Sequence, residues 1–124
     1  MGISNDRKTE SINSFRSAIS KTEKALIQMK RIESNTTLIE KRLIALRAGL
    51  AVLHHTWNQI PLGFTRNELA EARAVLTGLL PSMEKLYAVS KNPSPQRTLL
   101  ARRITAVGLA VQAIDETAGE THLS

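Results

Sequence analysis

The chain has 124 residues, of which 42% are hydrophobic and 23% charged, a length and composition typical of one folded domain and not of a disordered chain. It contains no cysteine, which excludes thiol catalysis, disulfide bonds and cysteine-ligated zinc. Its formal net charge of +6 favours an anionic partner, although a basic protein without such a partner is the simpler alternative.

Apolar residues recur at alternating spacings of three and four in four segments, and no segment shows the period of two that is typical of a strand. In the second segment the series runs through Leu43, Leu46, Leu50, Leu53 and Trp57. These series predict helices near residues 6–33, 37–60, 66–91 and 95–118. Because the connections are short, consecutive helices should be antiparallel, and we predict an all-α, up-down-up-down antiparallel four-helix bundle.

Two of the predicted helix starts have the spacing of a capping box. Thr37 is followed three residues later by Glu40, and Thr65 is followed three residues later by Glu68. In a capping box the hydroxyl and the carboxylate each accept a hydrogen bond from a backbone N–H that lacks a partner within the helix. We therefore expect Thr37 and Thr65 to be N-cap residues.

Proline and glycine predict further local geometry in the last two helices. Ser94 followed by Pro95 is a favourable helix start, and Gly119 is a suitable stop. The third helix contains Gly78 and Pro81, which predict a kink near Gly78–Pro81. The apolar series continues in phase beyond Pro81, so we expect a bend and not a break.

The cellular location follows from what the sequence does not show. The first ten residues lack the apolar run of a secretory signal, and no apolar run reaches the 18 residues of a membrane span. We therefore expect a cytoplasmic protein that forms a single helical-bundle domain over residues 1–124, with short flexible ends near 1–5 and 119–124.

Basic residues concentrate at the end of the predicted bundle that holds the first and third connections. Residues 24–47 contain six basic and two acidic side chains, and residues 84–103 contain five and one, so each segment carries +4. Several of these cations lie near helix N-termini, where the helix dipole disfavours them. We predict an anion-binding pole, with a solvated basic surface as the alternative. Its residues are Lys30, Arg31, Lys41, Arg42, Arg97, Arg102 and Arg103.

The second and fourth helices are apolar even on the side that the heptad register turns toward water. An amphipathic surface helix is polar on that side, and a large apolar surface is usually covered. Alanine needs no cover, because it is the best helix former, but isoleucine, valine and leucine have no such reason to be there. We predict that a protein partner or a second copy of the chain docks on Ile44, Ala48, Ala51, Val52 and Leu109.

His54 and His55 are candidates for chemistry, but neither has suitable neighbours. Adjacent helical residues point about 100° apart, whereas helical metal ligands are three or four residues apart. Neither histidine is followed by the Lys-Gly of a His-x-x-Lys-Gly phosphotransfer motif. A weak acidic cluster near His54 is expected at the same end of the bundle, formed by Glu68, Glu71, Asp115 and Glu116. We expect no metal, no cofactor and no enzymatic activity.

These features together favour a small, self-associating binding or adaptor-type protein that acts through protein–protein contacts and uses its basic pole for an anionic partner. Binding of nucleic acid or of an anionic surface through the same pole is the alternative, and a histidine phosphotransfer role is less favoured. The chain has only four aromatic residues, so stacking on single-stranded bases is not indicated.

Overall fold

The structure, a computed structural model, describes residues 2–123, and it describes the side chains of residues 2–118. Four helices make up this part of the chain, which contains no strand: α1 (Asn5–Arg31), α2 (Thr37–Asn58), α3 (Arg66–Val89) and α4 (Pro95–Leu123). The prediction of an all-α four-helix bundle is confirmed, and each helix begins within one residue of its predicted start. None of the described helices combines the length and hydropathy of a membrane span.

The predicted starts of α3 and α4 are confirmed at the level of their hydrogen bonds. The Glu68 N–H donates to Thr65 Oγ1 at 3.1 Å, and the Thr65 N–H donates to Glu68 Oε1 at 2.7 Å, which completes a capping box. Pro95 is the first residue of α4, and the Arg97 N–H donates to Ser94 Oγ at 3.1 Å. These two starts are therefore determined locally by the sequence.

The predicted capping box at the start of α2 is wrong. The N-cap residue is Thr36, whose side chain makes no capping hydrogen bond, so Thr37 already lies inside the helix. The Thr37 N–H instead donates to Asn35 Oδ1 at 2.9 Å. An asparagine two residues upstream satisfies the same free backbone donor, and the side chain of Glu40 is not needed for it.

Two expectations about helix continuity have different outcomes. α3 continues through Pro81, as predicted, while the bend there remains a prediction. α4 does not stop at Gly119 but extends to Leu123, five residues beyond its predicted end. A glycine lowers helix stability without ending a helix by itself, so Gly119 was a weak stop signal.

α2 and α4 are the central pair of the bundle. Each packs closely against all three other helices, whereas the backbones of α1 and α3 do not approach each other closely within the described residues. Helices approach more closely where their contacting side chains are small. The buried small residues of α2 are Ala45, Ala48 and Gly49, and those of α4 are Ala106, Ala110 and Ala113.

The central position of α2 corrects the prediction of an outward-facing apolar surface. Ala48 and Val52 are both 0% exposed, so they belong to the core and cannot contact a partner. The heptad register describes one seam between neighbours, but α2 has neighbours on three sides. The apolar residues beyond its seam are therefore covered by the chain itself.

Of the other three residues of that predicted surface, two are also less exposed to solvent than expected. Leu109 is half-buried and packs against the core. Ala51 is half-buried and lines a shallow cavity with Ile60 and Pro61, because the connection between α2 and α3 folds back along α2. Of the five predicted residues only Ile44, at 53% exposure, lies open on the surface.

α1 and α4 lie side by side with their first halves together. Arg102 Nε lies 3.7 Å from Glu10 Oε2, and Phe15 and Ala18 line a small cavity with Arg103. In an up-down-up-down bundle the first half of α1 would instead face the second half of α4.

α2 and α3 also run in the same direction. Lys41 of α2 lines a groove with Glu68 of α3, and eight residues further along both helices a Cβ atom on Gly49 would lie 3.4 Å from Leu76 Cδ1. The connection between them makes this possible by folding back along α2. The predicted antiparallel arrangement therefore holds for the α1–α2 and α3–α4 pairs, and it is wrong for the α2–α3 pair.

Candidate functional site

Arg97, a member of the predicted anion-binding pole, caps the C-terminal end of α3. Its Nη1 donates to the carbonyl oxygens of Tyr87 and Ser90, both at 3.1 Å, and its guanidinium carbon lies 4.0 Å from the centroid of the Tyr87 ring. Carbonyl groups in the last turn of a helix have no partner within that helix. Arg97 satisfies them, so its donors are committed within the chain.

Arg102 and Arg103 also make contacts within the chain. Arg102 forms the ion pair with Glu10. Arg103 is half-buried, and its side chain lines the cavity between α1, α2 and α4 together with Phe15 and Leu46. Its Nε atom is buried and has no hydrogen-bond partner among the described residues. The structure thus removes three of the seven predicted residues from an open anion-binding surface.

The other four predicted cations are exposed. Lys30 and Arg31 lie in the last turn of α1, and Lys41 and Arg42 lie in the second turn of α2. None of them has a hydrogen bond or ion pair to another described side chain. Lys91, which the sequence prediction did not include, is likewise exposed just after α3.

Large exposed hydrophobic residues collect around the same connections. Of the eight such residues among the described side chains, six flank residues 32–36 or residues 90–94. The two connections lie at opposite ends of the bundle, because the start of α4 packs beside the start of α1 whereas residues 32–36 follow the end of α1. The six residues are Ile27, Ile32, Leu38, Leu86, Val89 and Leu99.

We call Ile27, Ile32 and Leu38, together with Lys30, Arg31 and Arg42, the connection end. The most exposed of its apolar side chains is Ile32, at 65%. The sequence prediction missed the apolar half of this surface, and at the other connection it placed Leu86 in the core series, whereas Leu86 is 53% exposed. The available signal was the position of apolar residues directly beside predicted breaks.

The two adjacent histidines make contacts that hold the end of α2. Asn58 Nδ2 donates to His54 Nδ1 at 3.3 Å, and the Nδ1–H of His55 donates to the Ile60 carbonyl oxygen at 2.9 Å. The second bond ties the connection to the helix along which it returns. Trp57 is half-buried against the core, with Lys8 Nζ 5.9 Å from its ring centroid.

The acidic cluster expected near His54 is divided among other contacts. Glu68 completes the capping box, and Asp115 accepts from Arg73 Nε at 2.6 Å and from Arg73 Nη2 at 3.2 Å. The hydrogen bond and the charge of Asp115 raise the pKa of Arg73 above its ordinary value. Glu116 accepts from Gln112 Nε2 at 3.3 Å. Within the described side chains, no group of three or more His, Asp or Glu residues is placed to hold a metal ion.

The connection end therefore brings exposed apolar and basic side chains together on one surface. Its chemistry suits contact with another surface, because its side chains offer burial and charge but no clustered nucleophile or acid–base pair. Comparisons with protein-family models, with curated proteins and with solved structures give no match.

Proposed function

We propose that this is a cytoplasmic, non-enzymatic binding protein that docks an acidic protein partner on its connection end. The observation that carries the proposal is that Ile27, Ile32 and Leu38, three of the eight exposed large hydrophobic residues of the described chain, flank one connection that also carries exposed cations. Such a surface resembles a protein interface, in which an apolar centre is surrounded by charged residues.

The apolar side chains supply the affinity in this proposal. Burying an isoleucine or leucine contributes about 1.5–3 kcal/mol, and Ile32 and Leu38 are 65% and 63% exposed in the free chain. The cations supply partner choice, because complementary charge accelerates encounter and disfavours basic competitors. An acidic, partly apolar protein surface satisfies both requirements.

A nucleic-acid partner fits this surface less well. Phosphate contacts require Lys and Arg, which are present, but they give no role to exposed isoleucine, leucine and valine side chains. The connection end itself contains no aromatic residue on which bases could stack.

The proposal is tested by affinity capture from the producing cells at low and high salt, followed by titration of the purified partner. We expect the double variant Ile32→Ser/Leu38→Ser to bind the partner about tenfold more weakly or worse, since tenfold corresponds to about 1.4 kcal/mol. The variant Ile60→Ser is the matched control, because Ile60 is also exposed, at 46%, but lies in the α2–α3 connection.

A second pair of variants tests the charge requirement. Lys30→Gln/Arg31→Gln should weaken binding and reduce its salt dependence, whereas Arg66→Gln, which removes an exposed charge at the start of α3, should not. Equal binding by the connection-end variants and their controls would refute the proposal. Capture of nucleic acid alone, lost on nuclease treatment, would refute it as well.

A further inference from the structure

A second surface with exposed apolar side chains lies at the opposite end of the bundle from the connection end. Leu86 and Val89, in the last turn of α3, are 53% and 76% exposed, and Leu99, near the start of α4, is 55% exposed. The two helix ends lie together, because Arg97 of α4 donates to carbonyl oxygens at the end of α3. We call Leu86, Val89 and Leu99, together with Lys85 and Lys91, the α3–α4 end.

α3 extends beyond the end of α2 at this end of the bundle. The two helices run in the same direction, and neighbouring residues such as Gly49 and Leu76 differ by 27 in residue number. The same difference places Asn58, where α2 ends, level with Lys85. The last turn of α3, which ends at Val89, therefore has no further turn of α2 beside it.

Leu86 and Val89 belong to the face of α3 that packs on α2. Val75 lines the groove between these two helices. Leu86 and Val89 follow it by 11 and 14 residues, which are close to three and four whole helical turns, so the three residues lie on nearly the same face. This face packs against α2 where that helix is present and is uncovered beyond Asn58, which explains why Leu86 continues a core series and is nevertheless exposed.

The formal charge of this end is positive. Lys85 and Lys91 are exposed and form no ion pair with another described side chain. Residues 84–103 hold five basic and one acidic side chain, and residues 5–10, at the start of α1 beside the start of α4, hold two of each. With histidine counted as neutral, the end of α2 adds no charge, so the end as a whole carries +4.

We propose that the α3–α4 end docks on an anionic lipid surface. At the interface of a bilayer, apolar side chains are buried at the boundary between headgroups and acyl chains, and lysines beside them attract anionic headgroups. Leu86, Val89 and Leu99 supply the first kind of contact, and Lys85 and Lys91 supply the second. Because these side chains lie at one end of the bundle, the chain can meet the surface end-on without a change of fold.

The distribution of charge is the reason for choosing lipid over a protein partner at this end. Anionic headgroups present negative charge in every direction along the surface, so they can meet cations that are spread over a helix end and a connection. A protein presents charge at fixed positions and must match a pattern. At the connection end the carboxylates of Glu33 and Glu40 occur among the cations, which gives such a pattern, whereas residues 85–103 contain no carboxylate side chain.

The charge requirement is tested by co-sedimentation of the full chain with vesicles. We expect binding to vesicles of equimolar phosphatidylcholine and phosphatidylserine, decreasing as salt is raised, and little binding to phosphatidylcholine alone. Lys85→Gln/Lys91→Gln should lower the partition coefficient about 30-fold, because each lysine near an anionic surface contributes about 1 kcal/mol and tenfold corresponds to about 1.4 kcal/mol. Lys30→Gln/Arg31→Gln, which removes the same charge at the opposite end, is the matched control and should have a much smaller effect.

The apolar requirement is tested in the same assay with Leu86→Ser/Val89→Ser. We expect this variant to bind the anionic vesicles about tenfold more weakly or worse, because two aliphatic side chains no longer enter the interface. Ile32→Ser/Leu38→Ser makes the corresponding change at the connection end and should bind them as the unmodified chain does. All four side chains are exposed, so circular dichroism should show unchanged helix content in both variants.

The orientation on the surface is tested with a fluorescent label, since the chain contains no cysteine of its own. An environment-sensitive dye attached to Val89→Cys should shift its emission to shorter wavelength on the anionic vesicles. The same dye attached to Leu38→Cys should not, because residue 38 lies at the opposite end. A shift at residue 38 and none at residue 89 would overturn the proposed orientation and with it the proposal.

The proposal is refuted if the unmodified chain does not bind the anionic vesicles at low salt, or if the α3–α4 variants bind them as tightly as their controls. It is equally refuted if Leu86→Ser/Val89→Ser loses an acidic protein partner while the unmodified chain ignores the vesicles, since the α3–α4 end would then be a protein interface. Binding at the connection end is a separate matter. Ile32→Ser/Leu38→Ser should lose the protein partner and keep the vesicles, and Leu86→Ser/Val89→Ser should do the reverse.

Discussion

The ring of Phe15 lies directly against the backbone of Gly49. A Cβ atom on residue 49 would be 2.7 Å from Phe15 Cε1 and 2.8 Å from Phe15 Cζ. Phe15 is 2% exposed, so its ring could move only by displacing core side chains or by entering the small cavity that it lines. We expect Gly49→Ala to lower the free energy of unfolding by about 1–3 kcal/mol, the usual cost of overpacking, as measured by urea denaturation.

A change of the opposite sign in the free energy of unfolding is expected for alanine at Gly108, in the exposed part of α4. A Cβ atom there would have no neighbour within 4 Å. Alanine is favoured over glycine in a helix interior by about 0.5–1 kcal/mol, because it loses less conformational freedom on folding. Gly108→Ala should therefore raise the free energy of unfolding by about this amount. If both glycine variants changed stability in the same direction, the close contact between Phe15 and α2 would be in error.

Thr65 and Thr37 separate a true helix cap from an apparent one. Thr65→Ala removes the hydroxyl that accepts from the Glu68 N–H, and it should cost about 1 kcal/mol of stability. Thr37→Ala removes a side chain that makes no capping bond, so its effect should stay within about 0.5 kcal/mol. Thermal denaturation of the two variants side by side measures the difference. A larger loss for Thr37→Ala would restore the capping box that the sequence suggested.

Arg103 places a charged side chain in an apolar seam, with its buried Nε lacking a partner among the described residues. A buried donor without a hydrogen bond costs free energy, and apolar replacements of partly satisfied buried charges are often neutral or stabilising. We expect Arg103→Met to stabilise the protein by about 1 kcal/mol. Arg102→Met, at an exposed ion pair, should change stability by less than about 0.5 kcal/mol. Destabilisation by Arg103→Met in guanidinium titrations would mean that its charge is satisfied in solution.

The helices could be predicted because their signals are local. The capping box at Thr65 and the Ser94–Pro95 start depend on residues that are neighbours in the sequence, and both are confirmed. The burial of Ala48 and Val52 could not be predicted in the same way. How many neighbours surround a helix is a property of the whole bundle, and alanine occurs equally well on buried and exposed faces.

The basic pole, too, could be predicted only as far as local sequence signals reach. Exposed cations such as Lys30 and Arg31 were identified from charge and topology alone. The contact of Arg97 with the Tyr87 carbonyl depends on how the α3–α4 connection turns, and the pairing of Arg102 with Glu10 depends on how α1 crosses α4. Neither geometry is encoded in the spacing of apolar residues.

The arrangement of α2 and α4 between α1 and α3 determines the order in which the chain opens. Either outer helix can detach while the central pair and the other outer helix remain in contact, since the backbones of α1 and α3 do not approach each other closely within the described residues. Backbone amides in the middle of α2, near Val52 and Leu53, become accessible only when contacts to several helices open together. Native-state hydrogen exchange should therefore be slowest there and faster along α1, so the protein has a graded sequence of openings beneath its global unfolding.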